Sequence, residues 1–159
     1  MDWQNLFLSP NGRISRQPFW IGALILFVVG FVLKWIPVVN LLTIVLIYPW
    51  VCLYSKRLHD MGKSGWLTVA PFIVMILAVI IALVVGGAGA LAAMGMNQND
   101  PAAAASAIGG LGLAGVIVLL GFLVCFGFML WIGLTPGEPG ANQYGPSPKG
   151  EGAALTPTM

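Results

Sequence analysis

Uncharged apolar runs, broken by short polar segments, set the pattern of this chain. The first, Phe19–Leu33, is followed at once by Lys34 and Trp35. At ~1.5 Å per residue it spans about 22 Å, short of a ~30 Å hydrocarbon core. Lys34 can snorkel to the far surface and Trp35 can anchor there, so a crossing over 16–35 is just long enough. Ser15 is placed to cap it, with Pro18 in the first turn. Pro37 and Asn40 then mark a reversal. A second crossing is predicted over 38–58, kinked at Pro49, with Tyr48, Trp50 and Tyr54 as an aromatic belt. Gly62 is a natural stop. Ser64 is placed to cap a third helix over 65–85, anchored by Trp66. A fourth is predicted over 108–134.

Three segments lie outside this pattern. Trp3, Leu6 and Phe7 fall at i, i+3, i+4, which suits a short helical turn lying on a membrane surface. Residues 86–115 are rich in Ala and Gly, interrupted by "NQND" at 97–100. Their small residues either permit close helix contacts, for example at Gly110 and Ala114, or are filler. The tail, 136–159, is rich in Pro, Gly and polar residues and is expected to lack regular structure. Asn142 and Tyr144 would help hold a tail folded back over the basic loop, but the expectation is a disordered tail.

Composition points the same way. Hydrophobic residues make up 58% of the chain and charged residues 8%, against about 25% charged in soluble proteins. A soluble fold of this size cannot hide so much apolar surface. The expected fold class is therefore all-α: an integral membrane bundle of four transmembrane helices over 1–135, followed by a cytoplasmic tail. The first apolar run has no cleavage-site pattern and reads as a retained helix. Cys52 and Cys125 lie within apolar runs and read as small hydrophobes.

Charge adds orientation. The net charge of +2 is too small to suggest nucleic-acid binding. Four crossings put Arg13, Arg16, Lys56, Arg57, Lys63 and Lys149 on one side and Lys34 alone on the other. That bias places both termini in the cytoplasm (N-in/C-in) of a multi-pass inner-membrane protein.

Within the segment "KRLHDMGKSG", 56–65, lies the single histidine. On a continuing helix Asp60 can bridge Lys56 at i, i+4 and Arg57 at i, i+3. One reading is a topological anchor whose cations meet anionic headgroups. The sharper reading is an anion or lipid-headgroup site. Arg57 offers a planar fork, joined by Lys63, Ser64 and the amides opening the third helix. Arg13, Arg16, Lys56, His59 and Asp60 complete that candidate set. His59 beside Asp60 is no metal site, since three or four ligands are needed. Nor does it make an acid–base pair, because adjacent helical residues point about 100° apart.

Three stretches together resemble the DUF805 family of small bacterial inner-membrane proteins: "GRISRQPFW" at 12–20, "KRLHDMGKSGW" at 56–66 and "PGEPGANQYGPSP" at 136–148. The long Ala/Gly stretch at 86–115 departs from the usual family pattern. The resemblance implies a multi-helix bacterial membrane protein and supplies no catalytic residue or cofactor.

The expected function is accordingly non-enzymatic, with no cofactor and no metal. It is a structural or partner-binding membrane protein whose basic loop engages anionic lipid. Membrane lipids, a second copy or another membrane protein are its expected partners. The alternative is a small transporter or channel subunit acting as an oligomer. Every predicted span is free of charge except at its ends, which disfavours a solo ion carrier. An enzyme acting on a lipid phosphate ranks third, because no Walker A, GxSxG, HExxH or dinucleotide-binding glycine motif is present.

Overall fold

The computed structural model describes residues 3–35, 44–96 and 100–148. They form α1 (Trp3–Leu8), α2 (Arg16–Lys34), α3 (Ile47–Asp60), a 3-10 helix (Gly65–Thr68), α4 (Val69–Met94) and α5 (Pro101–Leu134). Among the described residues there is no strand, only one isolated bridge between Asn142 and Gly145. The Ile36–Asn40 reversal, residues 38–43 of the second predicted crossing, Asn97–Asn99 and the tail beyond Pro148 lie outside the described residues.

Among the described residues, three helices are long and apolar enough to cross a membrane: Arg16–Lys34, Gly65–Met94 and Pro101–Leu134. Their apolar side chains are mostly exposed, with only 6% of the most apolar stretch of Pro101–Leu134 buried within the protein. A surface of that kind is stable in hydrocarbon and aggregates in water.

Contacts divide the chain into two units, residues 1–69 with 130–159, and residues 70–129. In the first unit α3 is central and packs against α1, α2 and the 3-10 helix. Its core holds Leu6, Phe19, Leu26, Cys52, Leu53, Leu58 and Ile132. Gly22 lets α2 approach α3, since a Cβ there would lie 2.8 Å from Leu53 Cδ1.

Several helix limits differ from expectation. Pro49 does not kink a helix; it sits in the first turn of α3, where a missing N–H costs nothing. The third helix continues nine residues past Val85, to Met94, and the last helix begins at Pro101 rather than 108. Asp100 explains that start: its Oδ1 accepts the Ala102 N–H at 2.9 Å, and Pro101 occupies the first position. Glycine weakens helices in water, but the hydrocarbon-like setting leaves the backbone no other partner than itself.

The small residues of the second unit make contact. A Cβ on Gly89 would lie 2.8 Å from Gly110 Cα, and one on Gly121 2.7 Å from Ala78 Cβ. These glycines let α4 and α5 approach at backbone distance within residues 70–129.

Candidate functional site

The end of α3 is built as a stop. Gly62 takes a positive φ of 68°. Lys63 N–H then donates to Leu58 O at 2.9 Å and Gly62 N–H to His59 O at 3.1 Å, which satisfies the last carbonyls. Asp60 lies in this final turn, where the helix dipole disfavours an anion. Two guanidiniums offset that cost. Arg13 Nη2 and Nε donate to Asp60 Oδ1 at 3.1 and 3.2 Å. Arg57 Nη1 donates to Asp60 Oδ2. The side chains of Arg13, Arg57 and Asp60 are at most 5% exposed.

The tail completes the shell. Arg13 Nη1 donates to Gly140 O at 2.8 Å and to Gly145 O at 3.2 Å, and its Nη2 to Glu138 O at 2.7 Å. Arg57 Nη2 donates to Thr135 O. Glu138 N–H donates to Asp60 O at 2.7 Å. Asn142 Nδ2 donates to His59 O at 2.9 Å and to Glu138 Oε2 at 3.0 Å. Residues 135–148 thus form a strap over the basic loop, without helix or strand as expected, but held in place by these bonds against the expectation of a disordered tail. The reason is unpaired donors: each buried guanidinium needs more acceptors than one carboxylate offers, and tail carbonyls supply several, leaving Arg57 Nε without one. Glycines permit the close passage. A Cβ on Gly137 would fall 2.0 Å from Asp60 Oδ2, and one on Gly62 2.1 Å from Glu138 Oε1.

His59 joins the strap from the side. Its ring stacks on Tyr144 with centroids 3.8 Å apart. Nδ1 lies 3.2 Å from Gly12 O, and a carbonyl only accepts, so Nδ1 carries the proton. Burial lowers the His59 pKa, partly offset by the Gly12 bond. The neutral ring is favoured, and with the proton on Nδ1 its Nε2 accepts from Ser55 Oγ at 3.4 Å. Lys56 turns the other way and donates to Asn5 Oδ1 at 2.7 Å and to Asn5 O, tying α3 to α1.

The eight sequence-predicted residues therefore do not converge on one open pocket. Arg13, Lys56, Arg57 and Asp60 are drawn inward to hold chain segments together. Arg16, Lys63 and Ser64 remain at the surface. Arg16 Nη1 donates to Leu134 O at 3.3 Å, Lys63 Nζ stands 5.6 Å from the Trp131 ring centroid, and Ser64 Oγ accepts from Trp66 N–H. His59 is half-buried between the two sets. Arg57 is wholly buried, with Nη1 and Nη2 turned to Asp60 and Thr135 and Nε without a partner, so its fork does not open to an external phosphate. Sequence reasoning missed Asn5, Gly12, Thr135, Gly137 and Glu138. Most contribute backbone carbonyls or the absence of a side chain, which residue type does not advertise.

These features define an all-helical protein of membrane-embedded type, with a folded polar cap where the ends of its helices meet. The chain belongs to the DUF805 family, described as "Protein of unknown function (DUF805)", whose model matches residues 7–96. The match takes in Arg13, Arg57 and Asp60 and ends before α5 and the strap. No curated protein and no solved structure matches the chain.

Proposed function

We propose that this is a four-crossing protein of a bacterial inner membrane with both termini cytoplasmic, serving a structural or partner-binding role rather than catalysis. The polar cap is its rigid cytoplasmic platform, and Arg16 and Lys63 at its rim engage anionic lipid headgroups. One observation carries this reading. Arg13 before α2, Asp60 ending α3, Gly65 opening the 3-10 helix and Thr135 after α5 all meet in one cap. An even number of crossings brings those four points together. Among the described residues, Arg13, Arg16, Lys56, Arg57 and Lys63 gather there, with Lys34 alone at the other end of α2, in keeping with the positive-inside bias.

Buried Arg13 and Arg57 narrow the lipid contact to the exposed cations. Lys63 beside Trp131, with Trp66 83% exposed nearby in sequence, supplies the charge-plus-aromatic rim found at headgroup level. A channel subunit built by oligomerisation has less support, because Gly89 and Gly110 already face each other within one chain.

Native mass spectrometry of the purified protein tests the proposal. Wild type should carry phosphatidylglycerol through detergent exchange, and Arg16→Ala/Lys63→Ala should lose it while melting unchanged. A wild type that retains no anionic lipid overturns the lipid role.

A further inference from the structure

A cleft of about 510 Å³ opens beside the 3-10 helix, within the roughly 300–1,000 Å³ range of small-molecule sites. Val51 and His59 of α3, Ser64, Trp66 and Thr68 at the 3-10 helix, and Tyr144 of the strap line it. Among the described residues no lysine, arginine, aspartate or glutamate lines it. Its polar side chains are hydroxyls, the Asn11 amide, the Trp66 indole and the His59 imidazole, whose protonated Nδ1 is turned to Gly12 O. Burial disfavours the charged form of that ring.

Two observations point to an occupant. Thr68 is 1% exposed, and its hydroxyl has no hydrogen-bond partner. Buried polar groups are nearly always paired, so this hydroxyl calls for a ligand group or a water. The mouth is apolar. Trp66 is 83% exposed and Val69 40%, and both belong to the stretch Gly65–Met94 that is apolar enough to cross a membrane. A tryptophan at such a position marks the boundary between headgroups and acyl chains.

We propose that this cleft binds the uncharged, hydroxyl-bearing head of a neutral glycerolipid, diacylglycerol being the simplest case, with its acyl chains leaving past Trp66. A phosphate would be desolvated here with no cation to compensate it. A ligand offering acceptors alone, such as a quinone, would meet only half of the capacity of the Thr68 hydroxyl. A ligand hydroxyl both donates and accepts, as Thr68 does. Ser64 Oγ accepts from Trp66 N–H and keeps its own hydrogen for a ligand oxygen. This site borders the Arg16 and Lys63 rim at Trp66 and selects the opposite headgroup chemistry.

The full-length protein in detergent is titrated with dioleoylglycerol and, separately, with phosphatidylglycerol, and read by native mass spectrometry. A diazirine-bearing diacylglycerol then maps the contact. Wild type should take up one diacylglycerol per chain, with cross-links in 64–69. Thr68→Val should bind about three- to tenfold more weakly, as for one lost hydrogen bond. Val69→Trp, at a half-exposed position, should fill the mouth and abolish binding without unfolding the protein. Should Thr68→Val fail to fold, Val69→Trp and the cross-link map decide. Absent saturable uptake, unchanged uptake by Val69→Trp, cross-links elsewhere, or a preference for phosphatidylglycerol at this cleft each overturns the proposal.

Discussion

Arg13 and Asp60 stand 47 positions apart in the chain and share a salt bridge of 3.1 Å, with side chains 1% and 5% exposed. Arg57 closes on the other oxygen of the same carboxylate. Two buried cations therefore depend on one anion. Asp60→Asn should cost about 3–5 kcal/mol, the usual loss when one partner of a buried pair is removed. Thermal unfolding in detergent reads this. A melting temperature equal to wild type would mean that the tail carbonyls alone hold both guanidiniums.

The strap depends on Gly137. Its missing side chain leaves room for Asp60 Oδ2, 2.0 Å from where a Cβ would stand. Gly137→Ala should detach residues 135–148 and expose them to limited proteolysis. Gly127→Ala, with nothing within 4 Å of its added Cβ, is the matched control. Equal cleavage of the two variants counts against the strap.

Acid should loosen the contact between His59 and Tyr144. The folded His59 pKa lies below its ordinary 6.5, so the released state binds the proton more readily. Stability is thus full above about pH 6.5. It falls as the pH drops through that value and levels off below the depressed folded pKa. Hydrogen exchange of residues 140–146 between pH 7.5 and 5 measures the opening. His59→Gln should flatten the pH dependence across that window; a profile that keeps its shape in the variant assigns it to another group.

Helix contact in residues 70–129 makes a paired prediction. Gly89→Ala puts a methyl 2.8 Å from Gly110 Cα and should destabilise, because backbone cannot yield as a side chain tip does. Gly87→Ala meets nothing within 4 Å and should be neutral, or better by up to about 1 kcal/mol through helix propensity. Melting curves in one detergent compare them. The reverse order would remove the backbone contact from the account.

Four crossings predict opposite exposure for two loops. In a cysteine-free background, Ser64→Cys should react with a membrane-impermeant maleimide only from the cytoplasmic side. Asn99→Cys should react only from outside. Labelling of both from one side rejects the proposed topology.

Much of the fold was legible along the chain. Arg16–Lys34 falls within one residue of its predicted limits, because an apolar run ending in Lys–Trp carries its own boundary. Ser15 takes the extended cap conformation without a side-chain bond, whereas Ser64 makes one. Gly62 stops α3 as its residue type foretold. The Ala/Gly stretch leaves two readings open along the chain, because small residues weaken a helix in water and permit close packing in an apolar setting; the structure bears out the contact reading at Gly110. Only the medium and the neighbouring helix choose between those effects.

The candidate site was legible as an inventory and not as an arrangement. Local chemistry determined where the chain is apolar, where its helices stop, and that its cations cluster around a lone histidine; each follows from a few consecutive residues. Tertiary structure alone decided what those cations do. A guanidinium such as that of Arg57 pairs equally well with a headgroup phosphate, with water or with a carboxylate three residues on. The return of the chain at Thr135 brought backbone carbonyls within reach and turned two arginines inward. No local pattern encodes that meeting, because its acceptors are main-chain atoms common to every residue.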